Sequence, residues 1–174
     1  MNTGIQYICA ASLLLCSTGF TSSVRHNPFD THGILYVEDE DFAANPFSIP
    51  LSIHDFQTRY ADVVVTSREP VTNIHEMGVT DTIYTFTAHQ TSVSVYKSAI
   101  QDILQSAVIR NNDIALKRNI FIGMSKKAFA LKFHHPNGDL PNYLEVGNAE
   151  NTSVYAFSFR NDRLQEVRYL GYID

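Results

Sequence analysis

His75 and Glu76, with Asp81 close behind, are the side chains whose types and spacing come nearest to a chemical group. An imidazole beside a carboxylate can relay a proton, and one His with two carboxylates can hold a divalent cation. The stretch between Pro70 and Gly78 is polar and reads as a loop, and loops carry function. These residues define one alternative, a small hydrolase or metal-dependent enzyme. A second His at helical spacing is missing, however, and a solvated loop accounts for the same residues.

The other reactive clusters lead less far. Glu38-Asp39-Glu40-Asp41 concentrates carboxylates, but the Gly and the spaced oxygen ligands of a calcium loop are absent, so it reads as a solvated acidic loop. His134-His135 falls at the end of a predicted helix, where a protonated imidazole meets the negative end of the dipole; capping explains it better than ligation. There is no Gly-rich phosphate loop, no Gly-x-Ser-x-Gly elbow and no His-Glu-x-x-His. Asn151-Thr152-Ser153 matches a glycosylation sequon. No catalytic residue, metal or cofactor is expected.

Both cysteines, Cys9 and Cys16, lie in the apolar run Ile5 to Phe20, and residues 1–24 contain no Lys, Arg, Asp or Glu. The run is short of the about 20 apolar residues of a membrane span and fits the core of a secretory signal. Leu13-Leu14-Leu15-Cys16 resembles the signal of a bacterial lipoprotein, which implies acylation at Cys16; Leu15 departs from the small residue usual before that Cys. The expected location is the periplasm or outer membrane, with contact to the membrane only through a lipid anchor on Cys16. A net charge of −5 in 174 residues argues against nucleic acid, whose phosphates require a basic face. It argues equally against electrostatic attraction to anionic lipid.

Elements that could position a site follow from periodicity. Ser52 and Ser125 each precede an apolar stripe, Ile53-Phe56-Tyr60 and Phe129-Phe133, and a Ser hydroxyl can accept from the free N–H groups of a first helical turn. Ile34 to Val37, Thr82 to Thr87, Thr91 to Tyr96, Tyr143 to Val146, Ser153 to Phe159 and Leu164 to Tyr169 read as strands. Ser98 to Ile109 reads as a helical turn passing into a strand that pairs with Ile114 to Leu116. Thr66 to Gly78 reads as a long polar connection. The step of 73 from Ser52 to Ser125, kept by Phe56 to Phe129 and Tyr60 to Phe133, points to a duplicated unit.

The expected architecture is therefore α+β and two-layered, with short helices packed on an antiparallel β-sheet in a tandem repeat of a helix–loop–hairpin unit. Residues 1–23 form the signal peptide, 24–46 a linker with an N-terminal strand, 47–113 the first half and 114–174 the second. The period of two sends Tyr155, Phe157 and Phe159 toward the helices. It leaves Thr85, Thr87, Ala156, Ser158, Glu166 and Arg168 on the opposite, polar face, the expected binding surface.

The lead into the second helix, Ile122-Gly123-Met124-Ser125, followed by Tyr155-x-Phe157-x-Phe159 and Asn161-Asp162-x-Leu164, resembles BamE and its relatives, small outer-membrane assembly lipoproteins. Two such units in tandem are similar to the β-lactamase inhibitory protein family. The resemblance covers Ile120 to Tyr172 and, more thinly, Phe47 to Tyr96. It implies a helical layer on an antiparallel sheet and a protein-binding, non-enzymatic role; it carries over no functional residue. The partner so implied is another envelope protein, and inhibition of an exported enzyme is a narrower version of the same reading.

Overall fold

The computed structural model describes residues 24–25, 34–62, 64–134 and 139–169. The expected signal segment, with Cys9 and Cys16, lies outside the described residues, as does His135.

The strands are β1 (Val24–Arg25), β2 (Ile34–Glu38), β3 (Val65–Thr72), β4 (Thr80–Ala88), β5 (Thr91–Lys97), β6 (Asp102–Ile109), β7 (Tyr143–Gly147), β8 (Val154–Arg160) and β9 (Arg163–Tyr169). They form a single sheet in the order β1-β2-β7-β8-β9-β6-β5-β4-β3. The helices are short: α1 (Glu40–Ala44), α2 (Ile53–Arg59) and α3 (Lys126–Lys132).

This architecture corrects the expected two-layer antiparallel repeat. The sheet is mixed, because β2 runs parallel to β7, and it dominates the fold. Helices of five and seven residues cannot form a layer across nine strands. Nor do the halves match as units: four strands follow α2, whereas three follow α3 and take β2 as their neighbour. The step of 73 joins a Ser before each helix with aromatic residues on its buried stripe, and a similar Tyr-x-Phe recurs in β4 and β8. Both are local requirements of caps and buried strands, and they recur without duplication.

Two further strands escape simple periodicity for physical reasons. β3 is an edge strand, exposed along most of its length, so no hydrophobic alternation marks it. Its Pro70 withholds a ladder donor, a residue that an edge tolerates and that discourages further strand addition. In β6 the register against β5 jumps from Leu104 to Ser106, leaving Gln105 as an extra residue. The buried positions then run Leu104, Ala107, Ile109, and the first step imitates a helical period. β6 pairs with β9, not with Ile114 to Leu116; Leu116 instead bridges Phe47.

The caps form as their residue types require. Ser52 Oγ accepts from the Asp55 N–H at 3.0 Å, and Ser125 Oγ from the Ala128 N–H at 3.3 Å. Asp39, within the acidic run, caps α1 by accepting from the Phe42 N–H at 3.0 Å, and Glu40 and Asp41 sit in the first turn where the dipole favours them. That run is thus a helix start rather than a loop. Each helix drives a Phe into one core: Phe56 stacks on Phe86 at 5.1 Å, Phe129 meets Phe157 at 4.7 Å, and Phe42 meets Tyr155 edge-on at 5.5 Å. All three helices therefore cover the sheet face that carries Phe86, Tyr155 and Phe157.

Burial pushes the Tyr155 phenol well above its ordinary range, with Tyr169 adding to the effect. Burial, and then the bond to Glu145, push Tyr143 up to about 12. A pKa raised on folding contributes stability that is intact below the unfolded value, about 10 for Tyr, and is lost as pH climbs toward the folded one. The urea midpoint should accordingly hold steady up to about pH 9.5 and fall above about pH 10, with a smaller fall in Tyr155→Phe. A midpoint that is flat or rising through that range contradicts the assignment.

Candidate functional site

The registers assemble the face opposite the helices. One row crosses from β3 to β6 as Ser67, Thr85, Ser94 and Ser106. The next runs Val65, Thr87, Ser92 and Val108, and continues through Arg168 on β9 and Ala156 on β8 to Glu145 on β7. These two rows are mostly small and hydroxyl-bearing, with Thr85 Oγ1 and Ser94 Oγ 2.9 Å apart as a cross-strand pair. A third row on the same face, Glu69, Ile83, Tyr96 and Ile103, is larger and more apolar.

The charged part lies over β7 to β9. Glu166 receives Arg110 Nε at 2.6 Å and Arg168 Nη2 at 2.9 Å, so one carboxylate orients two guanidinium groups. Beside it the Tyr143 hydroxyl donates to Glu145 at 3.0 Å. Ser158 stands between Tyr143 and Glu166 in the ladder.

The expected surface residues are thus brought onto one face, but they are not equally available. Thr87 and Arg168 are exposed, and Thr85, Ser158 and Glu166 are half-buried. Ala156 is 4% exposed although it points away from the helices. Its cross-strand neighbours are Glu145 and Arg168, and Tyr36, next to Glu145 in the same row, is likewise 4% exposed. Arg110 and Tyr143 belong to the same surface and were not expected there. Arg110 follows the last strand residue of β6, and only the β6–β9 pairing brings it to Glu166.

The His75 loop is a built turn rather than a reactive cluster. Asn73 Oδ1 accepts from the N–H groups of His75 and Glu76 at 2.8 and 2.9 Å, and its amide donates to Asp81 at 2.8 Å. The Tyr96 hydroxyl donates to the same Asp81 carboxylate, which is 4% exposed. Asp81 therefore ties the loop to β5, while the side chains of His75 and Glu76 are exposed. Among the described residues no group of three His, Cys, Asp or Glu is placed to hold a metal ion. Periodicity does not single out Asn73 and Tyr96 as the holders of Asp81; an Asn at the start of a polar turn is the signal for the first.

Among the described residues no helix is long and apolar enough to cross a membrane. What the described residues define is a sheet-dominated protein with helices packed on one face and none on the other. No family model matches the chain, and no curated protein or solved structure matches it. The likeness to BamE rests on the residues quoted for it alone.

Proposed function

We propose that this chain is an exported, non-catalytic binding module of a bacterial cell envelope that holds another protein across the open sheet face. The observation that carries the reading is the asymmetry of the sheet. Phe42, Phe56 and Phe129 seal one side, while among the described residues no helix packs on the other. That other side offers hydroxyl groups on Ser67, Thr85, Thr87, Ser92, Ser94 and Ser106 beside the apolar Ile83 and Ile103, with Arg110, Arg168 and Tyr143 farther along the sheet. Arg and Tyr are the residue types enriched where binding energy concentrates, and Glu166 holds both guanidinium groups in place before a partner arrives. Export is supported by the uncharged apolar start and by Cys16 in a lipoprotein-like setting.

The test is capture of an envelope protein by the wild-type chain, by Thr85→Arg and by Ser158→Arg. Both variants place a long charged side chain on the open face without touching the core, so the thermal midpoint should move by no more than about 2 °C. The expected result is a specific partner held by the wild type and lost by both variants. Undiminished capture by both removes the open face as the binding surface.

A further inference from the structure

Three of the most exposed large apolar side chains among the described residues are Met77 at 102%, Ile100 at 88% and Ile74 at 78%. All three stand on two neighbouring turns at one end of the sheet. Ile74 and Met77 are in the β3–β4 turn, Ile100 is in the β5–β6 turn, and β4 pairs directly with β5. Neither turn is held loosely. Asn73 receives two N–H groups, the Asn73 N–H closes the turn on the Val79 carbonyl at 3.0 Å, and the buried Asp81 anchors its base. In the second turn Ser98 Oγ accepts from the N–H groups of Ile100 and Gln101. Polar scaffolding thus holds aliphatic side chains out into water, where each costs free energy that an inward position would recover.

We infer that the two turns form an insertion tip for the interface of a zwitterionic phospholipid bilayer. Shape and chemistry favour lipid over a protein cleft. Fixed protein contacts draw on Trp, Tyr and Arg, whereas Ile74, Met77 and Ile100 are aliphatic and project separately, and hydrocarbon requires no matching contour. Charge selects the lipid class. Lys97 at the base of the second turn is already paired with Asp102 at 3.4 Å, Glu76 is exposed between Ile74 and Met77, and the chain carries −5 overall. An anionic surface repels such a tip, and a neutral one does not. Glu76 keeps insertion shallow, with its carboxylate at the level of the headgroups. The site is independent of the open sheet face.

The experiment is co-flotation of the full chain with phosphatidylcholine vesicles, against the variant Ile74→Ser/Met77→Ser/Ile100→Ser. Both proteins keep the same N-terminal apolar run, so the difference between them reports the turns. The variant should partition about tenfold more weakly, since partial burial of three aliphatic side chains is at stake. Wild-type partition should be insensitive to salt and should weaken when phosphatidylglycerol replaces part of the phosphatidylcholine. Independently, Met77→Cys in a Cys9→Ser/Cys16→Ser background, labelled with an environment-sensitive dye, should shift to the blue on adding vesicles. Equal flotation of wild type and triple variant, partition that strengthens with phosphatidylglycerol, or an unshifted dye overturns the inference. So does a concentration-dependent dimer abolished by the triple variant without any vesicle partition.

Discussion

Phe129→Ala should cost about 3–5 kcal/mol of folding free energy, the range found when a large buried aromatic is removed. Phe129 is buried on α3 and touches Phe133 at 4.9 Å, Phe157 at 4.7 Å and Phe159 edge-on at 5.2 Å. The neighbouring rings are held by β8 and by the end of α3, so they cannot close the space, and a cavity term adds to the lost transfer energy. Against a total of about 5–15 kcal/mol for an ordinary domain, the variant is left near the edge of folding. Leu131, two positions on in the same helix, is exposed. Leu131→Ala should move stability by no more than about 0.5 kcal/mol, because Ala suits a helix and little packing is lost. Urea titration of both variants, with the slope unchanged, measures the contrast. A Phe129→Ala loss below about 1 kcal/mol means that α3 does not seal the core as described.

What sequence reading recovers here is what neighbouring residues decide. Ser52 and Ser125 announce their helices because capping needs only a hydroxyl and the next turn of N–H groups. The alternation Tyr155, Phe157, Phe159 marks β8 because one side of it is buried throughout. β3 stays hidden because water reaches most of it, and β6 because Gln105 shifts its phase. The parallel pairing of Leu35 with Leu144 joins distant parts of the chain, and no local pattern encodes such a contact. The candidate surface divides in the same way. That Thr85 and Thr87 share a face is a property of one strand. That Ala156 lies between Glu145 and Arg168, or that Arg110 reaches Glu166, depends on which strands lie alongside.

Arg118 offers the second large effect, and it too is invisible in the local pattern. Arg118 and Asn119 have φ of 58° and 53°, and the Ile120 N–H closes on the Lys117 carbonyl at 3.1 Å, as in a type I′ turn. A left-handed backbone costs a residue with a Cβ about 1–2 kcal/mol, so something must offset it. The guanidinium does so by meeting Asp39 as a fork, Nη1 to Oδ2 at 2.6 Å and Nη2 to Oδ1 at 2.7 Å. It also donates to the Lys132 carbonyl at 3.2 Å and lies 4.9 Å from the Phe133 ring, tying the start of α1 to the end of α3. The two side chains are only 25% and 15% exposed, so water replaces the pair poorly. Arg118→Ala leaves the Asp39 carboxylate with its cap bond to the Phe42 N–H but without its cation, and should cost about 2–4 kcal/mol, below the cost for a fully buried pair. Arg118→Gly loses the same contacts but relaxes the turn, and should be more stable than the Ala variant by about 1 kcal/mol. Arg118→Lys keeps a charge without the fork and should fall between wild type and Ala. In a double-mutant cycle with Asp39→Asn, which preserves a competent N-cap, the coupling should exceed about 1 kcal/mol. Additive losses in that cycle would show that the Arg118–Asp39 pair contributes nothing of its own, and that Arg118 acts through the turn and its contacts with Lys132 and Phe133.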